Sequence, residues 1–301
     1  MLRKLDKIIF AFIFGLLLFL NFNRHSKHGS FNYHSEIWAD KAGYQVFLPA
    51  LLYYNFDASQ FPEDIARNTG TGFSLDTKNN KVLTKYPIGV AVLQSPFFAL
   101  GAIIDKITHT SEPLGYTATQ HKMIGLSTVF YSTIGLLLLF LSLSDTKRSV
   151  RYLVLFLVVF GTNFLFYITR DGGLSHAYSF FTFAVVLYGL KQFCTPHSNW
   201  KWLTLTIVFI VLGSLIRPIN VLFYGLASLV ILVPNHVNVF QNHKAILKGM
   251  LIALPFVLLL LIPQLMYYKY AFDDYLAYSY NDERFLYLKN PKIARVWFAP
   301  A

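Results

Sequence analysis

The chain has 301 residues, of which 55% are apolar and 14% charged, against about 25% charged in an ordinary soluble chain. A mean hydropathy of +0.46 and 17% aromatic residues exclude a disordered chain, a disulfide scaffold and a typical soluble enzyme, and leave an all-α polytopic membrane protein. The net charge of +11 fits lysine and arginine gathered on cytoplasmic loops and near anionic headgroups, so membrane lipids are the expected partners and nucleic acid is not.

The first apolar run covers 8–20, after Arg3, Lys4 and Lys7. No small-x-small cleavage site follows it, so it reads as an uncleaved helix with a cytoplasmic N-terminus. Further runs cover 88–104, 123–143, 152–168, 178–190, 202–216, 221–233 and 250–267. If all eight crossed, Lys147, Arg148, Arg151, Lys191, Lys201, Lys244 and Lys248 would lie outside. If 88–104 does not cross, they all fall on the cytoplasmic side, as the positive-inside rule requires. That run follows Pro87 and contains Gly89 and Pro96, which suits an interfacial or broken segment. The expectation is about seven transmembrane helices in a single domain, 1–301, with 22–122 as one long extracytoplasmic loop carrying membrane-surface helices. The stretch 44–56 contains Pro49 and is too short to span. Its Tyr44, Val46, Phe47, Leu48 and Leu51 need cover, which favours a compact, membrane-hugging loop. Cys194 is the one cysteine, so no internal disulfide forms.

Polar groups at the membrane boundary are costly and are candidates for chemistry. Four clusters share the outer side in this topology. In Glu36-Ile37-Trp38-Ala39-Asp40-Lys41, Asp40 is a candidate general base, or simply an acid near a helix start. In Thr84-Lys85-Tyr86-Pro87, Lys85 stands where a helix N-terminus meets the headgroups and suits a phosphate, or it is a snorkelling lysine. In Arg170-Asp171-Gly172-Gly173-Leu174-Ser175-His176, the acid and the arginine are available to pair, and the glycines allow close approach to a ligand. Arg217-Pro218-Ile219-Asn220 offers an arginine for an anion, or an interfacial anchor. The tail 269–301 interleaves Tyr275, Tyr278, Tyr280 and Tyr287 with Arg284, Lys289, Lys292 and Arg295, a set able to hold a sugar and a phosphate or to form an aromatic belt. The sequence has no Walker-type loop, zinc-helix histidine pair, Gly-x-Ser-x-Gly elbow or Cys-x-x-Cys. His25, His28 and His34 show no ligand pattern.

The order of these pieces resembles the GT-C superfamily of membrane glycosyltransferases, in particular the family 39-like branch of protein O-mannosyltransferases and lipid A aminoarabinose transferases. Asp40, followed by Tyr44, looks like that family's early acid. Lys85-Tyr86-Pro87 looks like its Lys-Pro-Pro-type segment, and Ser175-His176 and Arg217-Pro218 look like segments of bacterial members. The resemblance implies a GT-C-like bundle in the bacterial cytoplasmic membrane, with its site on the extracytoplasmic face. Asp40 would be catalytic, and Tyr44, Lys85, Tyr86, His176 and Arg217 would bind substrate. The donor would be a polyprenyl-phosphate-linked sugar, and the acceptor a glycan, lipid or protein hydroxyl. Asp40-Lys41 stands where many members carry two acids, which argues against a carboxylate-bound metal: no cofactor is expected, and a divalent metal has no support. The chain stops at Trp297-Phe298-Ala299-Pro300-Ala301, before the further spans such enzymes carry, and so looks like the N-terminal portion of a longer enzyme. The alternative from another class is a non-catalytic transporter or lipid-carrier flippase, which calls for ionisable pairs or broken helices at mid-membrane.

Overall fold

The computed structural model describes residues 2–25, 29–195, 199–234, 242–277, 279 and 292. Among these the chain is mostly helical. In order, α1 is Lys4–His25, α2 Asp40–Gln45, α3 Phe47–Leu52, α4 Ile65–Asn68, α5 Gly89–Thr108 and α6 Ala118–Ser142. Then come α7 Arg148–Phe160, α8 Phe164–Thr169, α9 Ser175–Phe193, α10 Trp200–Ile216, α11 Asn220–Leu232 and α12 His243–Phe272. Between α4 and α5 lies a two-stranded antiparallel hairpin, β1 Ser74–Asp76 and β2 Lys81–Leu83, with Leu75 opposite Val82. This hairpin is a small addition to a mostly helical chain, which stays compatible with the all-α expectation. In Asp76-Thr77-Lys78-Asn79-Asn80, the Asp76 carboxylate accepts from Lys78 N and Asn79 N at 3.1 Å, and Asn80 takes φ 55°. This is side-chain-to-backbone turn chemistry.

Among the described residues four helices are long and apolar enough to cross a membrane: α1, α5, α6 and α12. They make the chain compatible with an integral membrane protein. The other expected crossings are shorter. The run 152–168 breaks into α7 and α8 around Gly161, and α10 and α11 have 17 and 13 residues. The helices α6 and α12 have 25 and 30 residues, about 38 and 45 Å at 1.5 Å per residue.

Polar contacts divide the bundle into two ends. At one end Arg148 of α7 pairs with Asp6 of α1, which also accepts from Tyr152 Oη at 2.6 Å. Lys191 near the end of α9 reaches Asp145 at 2.5 Å, after α6, and Lys248 of α12 lies 4.9 Å over the Trp200 ring at the start of α10. At the opposite end, Asn21 of α1 donates to Ile168 O of α8 at 2.8 Å.

Both ends of α5 lie at that second end. A Cβ on Gly89 would come within 2.5 Å of Leu215 and Ile216 backbone, the last turn of α10. Further along, Gln94 Nε2 donates to Tyr178 Oη, in the first turn of α9, at 3.0 Å. At its far end, Asp105 accepts from Thr117, the N-cap of α6, at 2.8 Å. The Tyr178 hydroxyl also meets Ser127 Oγ at 2.7 Å and Thr128 Oγ1 at 3.2 Å, and Thr128 Oγ1 accepts from Gly173 N at 3.0 Å. One buried hydroxyl therefore joins α5, α6 and α9. Residues 37–82 form their own core over this end, with Ile37, Val46, Phe61, Phe73 and Val82 packed on Tyr116 and Ile124.

Tyr178→Phe should leave Gln94, Ser127 and Thr128 short of a partner. The expected loss is about 1–3 kcal/mol, read as a lowered thermal midpoint in detergent with secondary structure retained.

Candidate functional site

Asp40 opens α2, directly after Ala39, which holds φ 49° and ψ −124°. This left-handed backbone is uncommon for a residue with a side chain. It is held in place by neighbours. Ala39 N donates to Thr69 O at 2.8 Å. Gly72 comes so close that a Cβ there would sit 1.7 Å from Ala39 O, and one on Gly43 would sit 2.5 Å from the Tyr86 ring. Thr84 Oγ1 donates to Gly43 O at 2.9 Å. Only glycine allows these backbones to meet.

Two further side chains of α2 leave it in other directions. The Tyr44 ring lies 4.3 Å from that of Tyr86, and its hydroxyl donates to Ser175 Oγ at 3.2 Å. Lys41, 4% exposed, reaches Asp171 Oδ1 at 2.8 Å. The pairing of Asp171 with Arg170 offered by the sequence is therefore replaced by one with Lys41. Arg170 itself is exposed.

Beside α2 opens a cavity of about 1220 Å³. Asp40, Lys85 and Tyr86 line it, with Glu63, Asp64 and Arg67 also on its walls. Arg67 is paired with Asp64 at 2.8 Å. The Asp40 side chain is exposed to this space. Lys85 is half-buried, its ammonium 5.6 Å from the Tyr86 ring centre, within cation–π range. Its backbone carbonyl accepts from Ser279 Oγ at 2.7 Å. At the rim, hydrogen bonds from Ser59, then Asn80, hold the Asp57 carboxyl at about 2.

A second hollow, of about 520 Å³ and almost wholly apolar, lies between α3, α5 and α12, lined by Leu51, Ile88, Val92, Met266, Tyr267 and Tyr270 among others. The connection 83–88 separates the two: Leu83 to Tyr86 face the polar cavity and Ile88 faces the apolar groove. Tyr267 Oη accepts from Thr84 N at 2.7 Å and Tyr270 Oη accepts from Val82 N at 2.8 Å. The end of α12 thus supports the strand that leads to Lys85.

His176 and Arg217 meet each other, Nδ1 to Nη1 at 3.4 Å, and the imidazole stacks on Tyr167 at 3.9 Å. Neither lines the polar cavity. They border α2 through Asp171 and Ser175. The short turn carrying Arg217 is fixed by Asn220, whose amide donates to Ser179 Oγ at 3.0 Å and Gly213 O at 2.9 Å. His176 precedes the apolar run that begins at 178.

Of the six site residues expected, the structure gathers Asp40, Lys85 and Tyr86 on one cavity, seats Tyr44 against Tyr86, and sets His176 with Arg217 apart. Among the described residues no group of three or more histidine, cysteine, aspartate or glutamate side chains is placed to hold a metal. Tyr278, Tyr280, Arg284, Tyr287, Lys289 and Arg295 of the tail, and His28, lie outside the described residues, and His25 is described in its backbone alone. Sequence reasoning missed the Lys41–Asp171 pair, whose partners are 130 residues apart, and the second wall at Glu63, Asp64 and Arg67. The turn residues around Pro62 were the available signal for that wall. Comparison with family models, with curated proteins and with solved structures finds no match for this chain.

Proposed function

We propose that this chain is a GT-C-type glycosyltransferase domain that moves a sugar from a polyprenyl-phosphate donor to an acceptor hydroxyl at the outer membrane face, with inversion. The observation that carries this reading is the placing of Asp40, Lys85 and Tyr86 on one polar cavity beside an apolar groove. A lipid-borne donor needs both surfaces: a polar one for sugar and phosphate, and an apolar one for the chain that carries them.

The membrane arrangement we infer has seven crossings: α1, α6, the broken α7–α8 pair, α9, α10, α11 and α12. The end that carries Asp6, Arg148 and Lys191 faces the cytoplasm, as expected for lysine and arginine. The helix α5 lies across the outer end. Its contacts with the last turn of α10, the first turn of α9 and the N-cap of α6 all support this placing. Length and hydropathy alone would let it cross.

In the reaction, Asp40 takes the proton of the acceptor hydroxyl. The acceptor oxygen forms a bond to the anomeric carbon from the face opposite the phosphate. The bond from that carbon to the phosphate oxygen breaks, and its electron pair leaves with the lipid phosphate. Lys85, with Tyr86 beside it, stabilises the charge that develops on the leaving group. Arg217 is engaged with His176 and lies off the cavity wall, whereas Lys85 lines it, and this place on the wall supports its assignment to the task.

Asp40→Asn should lower transfer by about 10²–10⁴-fold while binding of free polyprenyl phosphate stays within about twofold. Lys85→Ala should weaken polyprenyl-phosphate binding by about tenfold or more. Near-normal transfer by Asp40→Asn would remove the base, and unchanged carrier binding by Lys85→Ala would remove the phosphate contact. Cysteines placed at 40 and 85 in sealed vesicles should both react with an impermeant maleimide from the outer side. Reaction from opposite sides would dismantle the pocket.

A further inference from the structure

We propose that Lys41 and Asp171 are positioning residues for Asp40. Their ion pair fixes α2 against the α8–α9 turn and holds the Lys41 ammonium out of the cavity that Asp40 faces. This inference rests on the reading of Asp40 as the base and assigns a role to its neighbours.

The geometry supports the assignment in three ways. First, α2 has only six residues, too few to be stable by its own hydrogen bonds. Its placing must come from contacts with other elements. Second, consecutive residues of this short helix point to different surroundings. Asp40 is exposed and lines the polar cavity, while Lys41 is 4% exposed, is absent from the cavity walls and meets Asp171 at 2.8 Å. Residues i and i+1 on a helix do not face each other, and the pair with Asp171 makes that separation permanent. Third, the turn is shaped around the lysine. Gly173 has φ +97°, and a Cβ there would lie 3.4 Å from Lys41 Cδ and 3.0 Å from Glu36 O. The same turn leads to Ser175, which accepts from Tyr44 of α2.

A buried ammonium without its carboxylate is costly. Without Asp171, the ammonium loses its carboxylate and, on this proposal, turns toward the cavity whose walls carry Asp40, Lys85, Glu63, Asp64 and Arg67. There it adds a second cation beside the base. The pair thus keeps the Asp40 carboxylate available, although neither partner touches substrate.

The test uses the full chain in lipid nanodiscs and needs no turnover. Cys194→Ser removes the native thiol, and Asp40→Cys supplies a single reactive one. Its rates with an anionic and a cationic thiosulfonate reagent report the charge facing position 40. Adding Asp171→Asn should raise the anionic-to-cationic rate ratio by about threefold or more. Adding Lys41→Met as well should return the ratio to the parent value. An unchanged ratio with Asp171→Asn, or a double variant that stays high, overturns the proposal. The neutral double variant also guards against misfolding, since it carries no uncompensated charge. In the transfer assay, with Asp40 restored, Asp171→Asn should lower kcat by about 10²-fold with the donor KM unchanged, and Lys41→Arg alone, which keeps a cation to pair with Asp171, should retain most of the rate. A raised KM at constant kcat would overturn it. If the wild-type chain transfers no sugar, the function proposed above fails while the thiol result still decides the role of the pair.

Discussion

The structure depends on hydrogen bonds made at the junction between an apolar bundle and the layer of chain laid over it. A buried hydroxyl or amide left without a partner costs about 1–3 kcal/mol, more than the roughly 0.5–1.5 kcal/mol that a hydrogen bond typically returns. At this junction the Tyr178 hydroxyl serves α5, α6 and α9 together, and Gln264 accepts from Ile88 N at 2.8 Å to seat the start of α5. These bonds let a 20-residue apolar helix have both ends at one level of the bundle. Where α5 lies then fixes where the segment before it, with Lys85, can be.

The same economy of contacts shapes the site. The helix α2 is fixed by backbone contact at Gly72 and Gly43, by ring contact at Tyr86 and by the charge of Asp171. Asp40 therefore stands on a short element whose direction is set entirely by its surroundings. Electrostatically the cavity mixes signs. Arg67 is paired with Asp64 on the wall, and Lys85 stands beside the Tyr86 ring.

Much of this was legible in the sequence, and the limits of legibility have physical causes. Hydropathy located the helices, because apolar runs are local. Charge counting sets 88–104 apart as an expected non-crossing segment, because the sign pattern of loops is local too, while by length and hydropathy α5 is among the helices able to cross. Asp40 and Lys85 were picked out by chain position beside apolar runs, and they do share a cavity. What the sequence hid is pairing across distance. Nothing near Asp171 marks Lys41 as its partner in preference to Arg170, and nothing near Arg217 marks it as the neighbour of His176. The break at Gly161 was hidden as well. Hydropathy reads through a bend, so one continuous apolar run became α7 and α8. The hairpin was missed because strands of three residues are too short to show an alternating period.

The tyrosines near the end of α12 join a mechanical chain. This helix has 30 residues, and much of its length presents bare apolar side chains such as Leu251, Leu259 and Met266. Its last turns are stitched through Tyr267 and Tyr270 to the strand that runs into Lys85. Long apolar helices answer a thinner or thicker bilayer by changing their tilt. In the arrangement proposed above, a change in lipid thickness would therefore reach the lysine of the cavity through two phenolic hydroxyls.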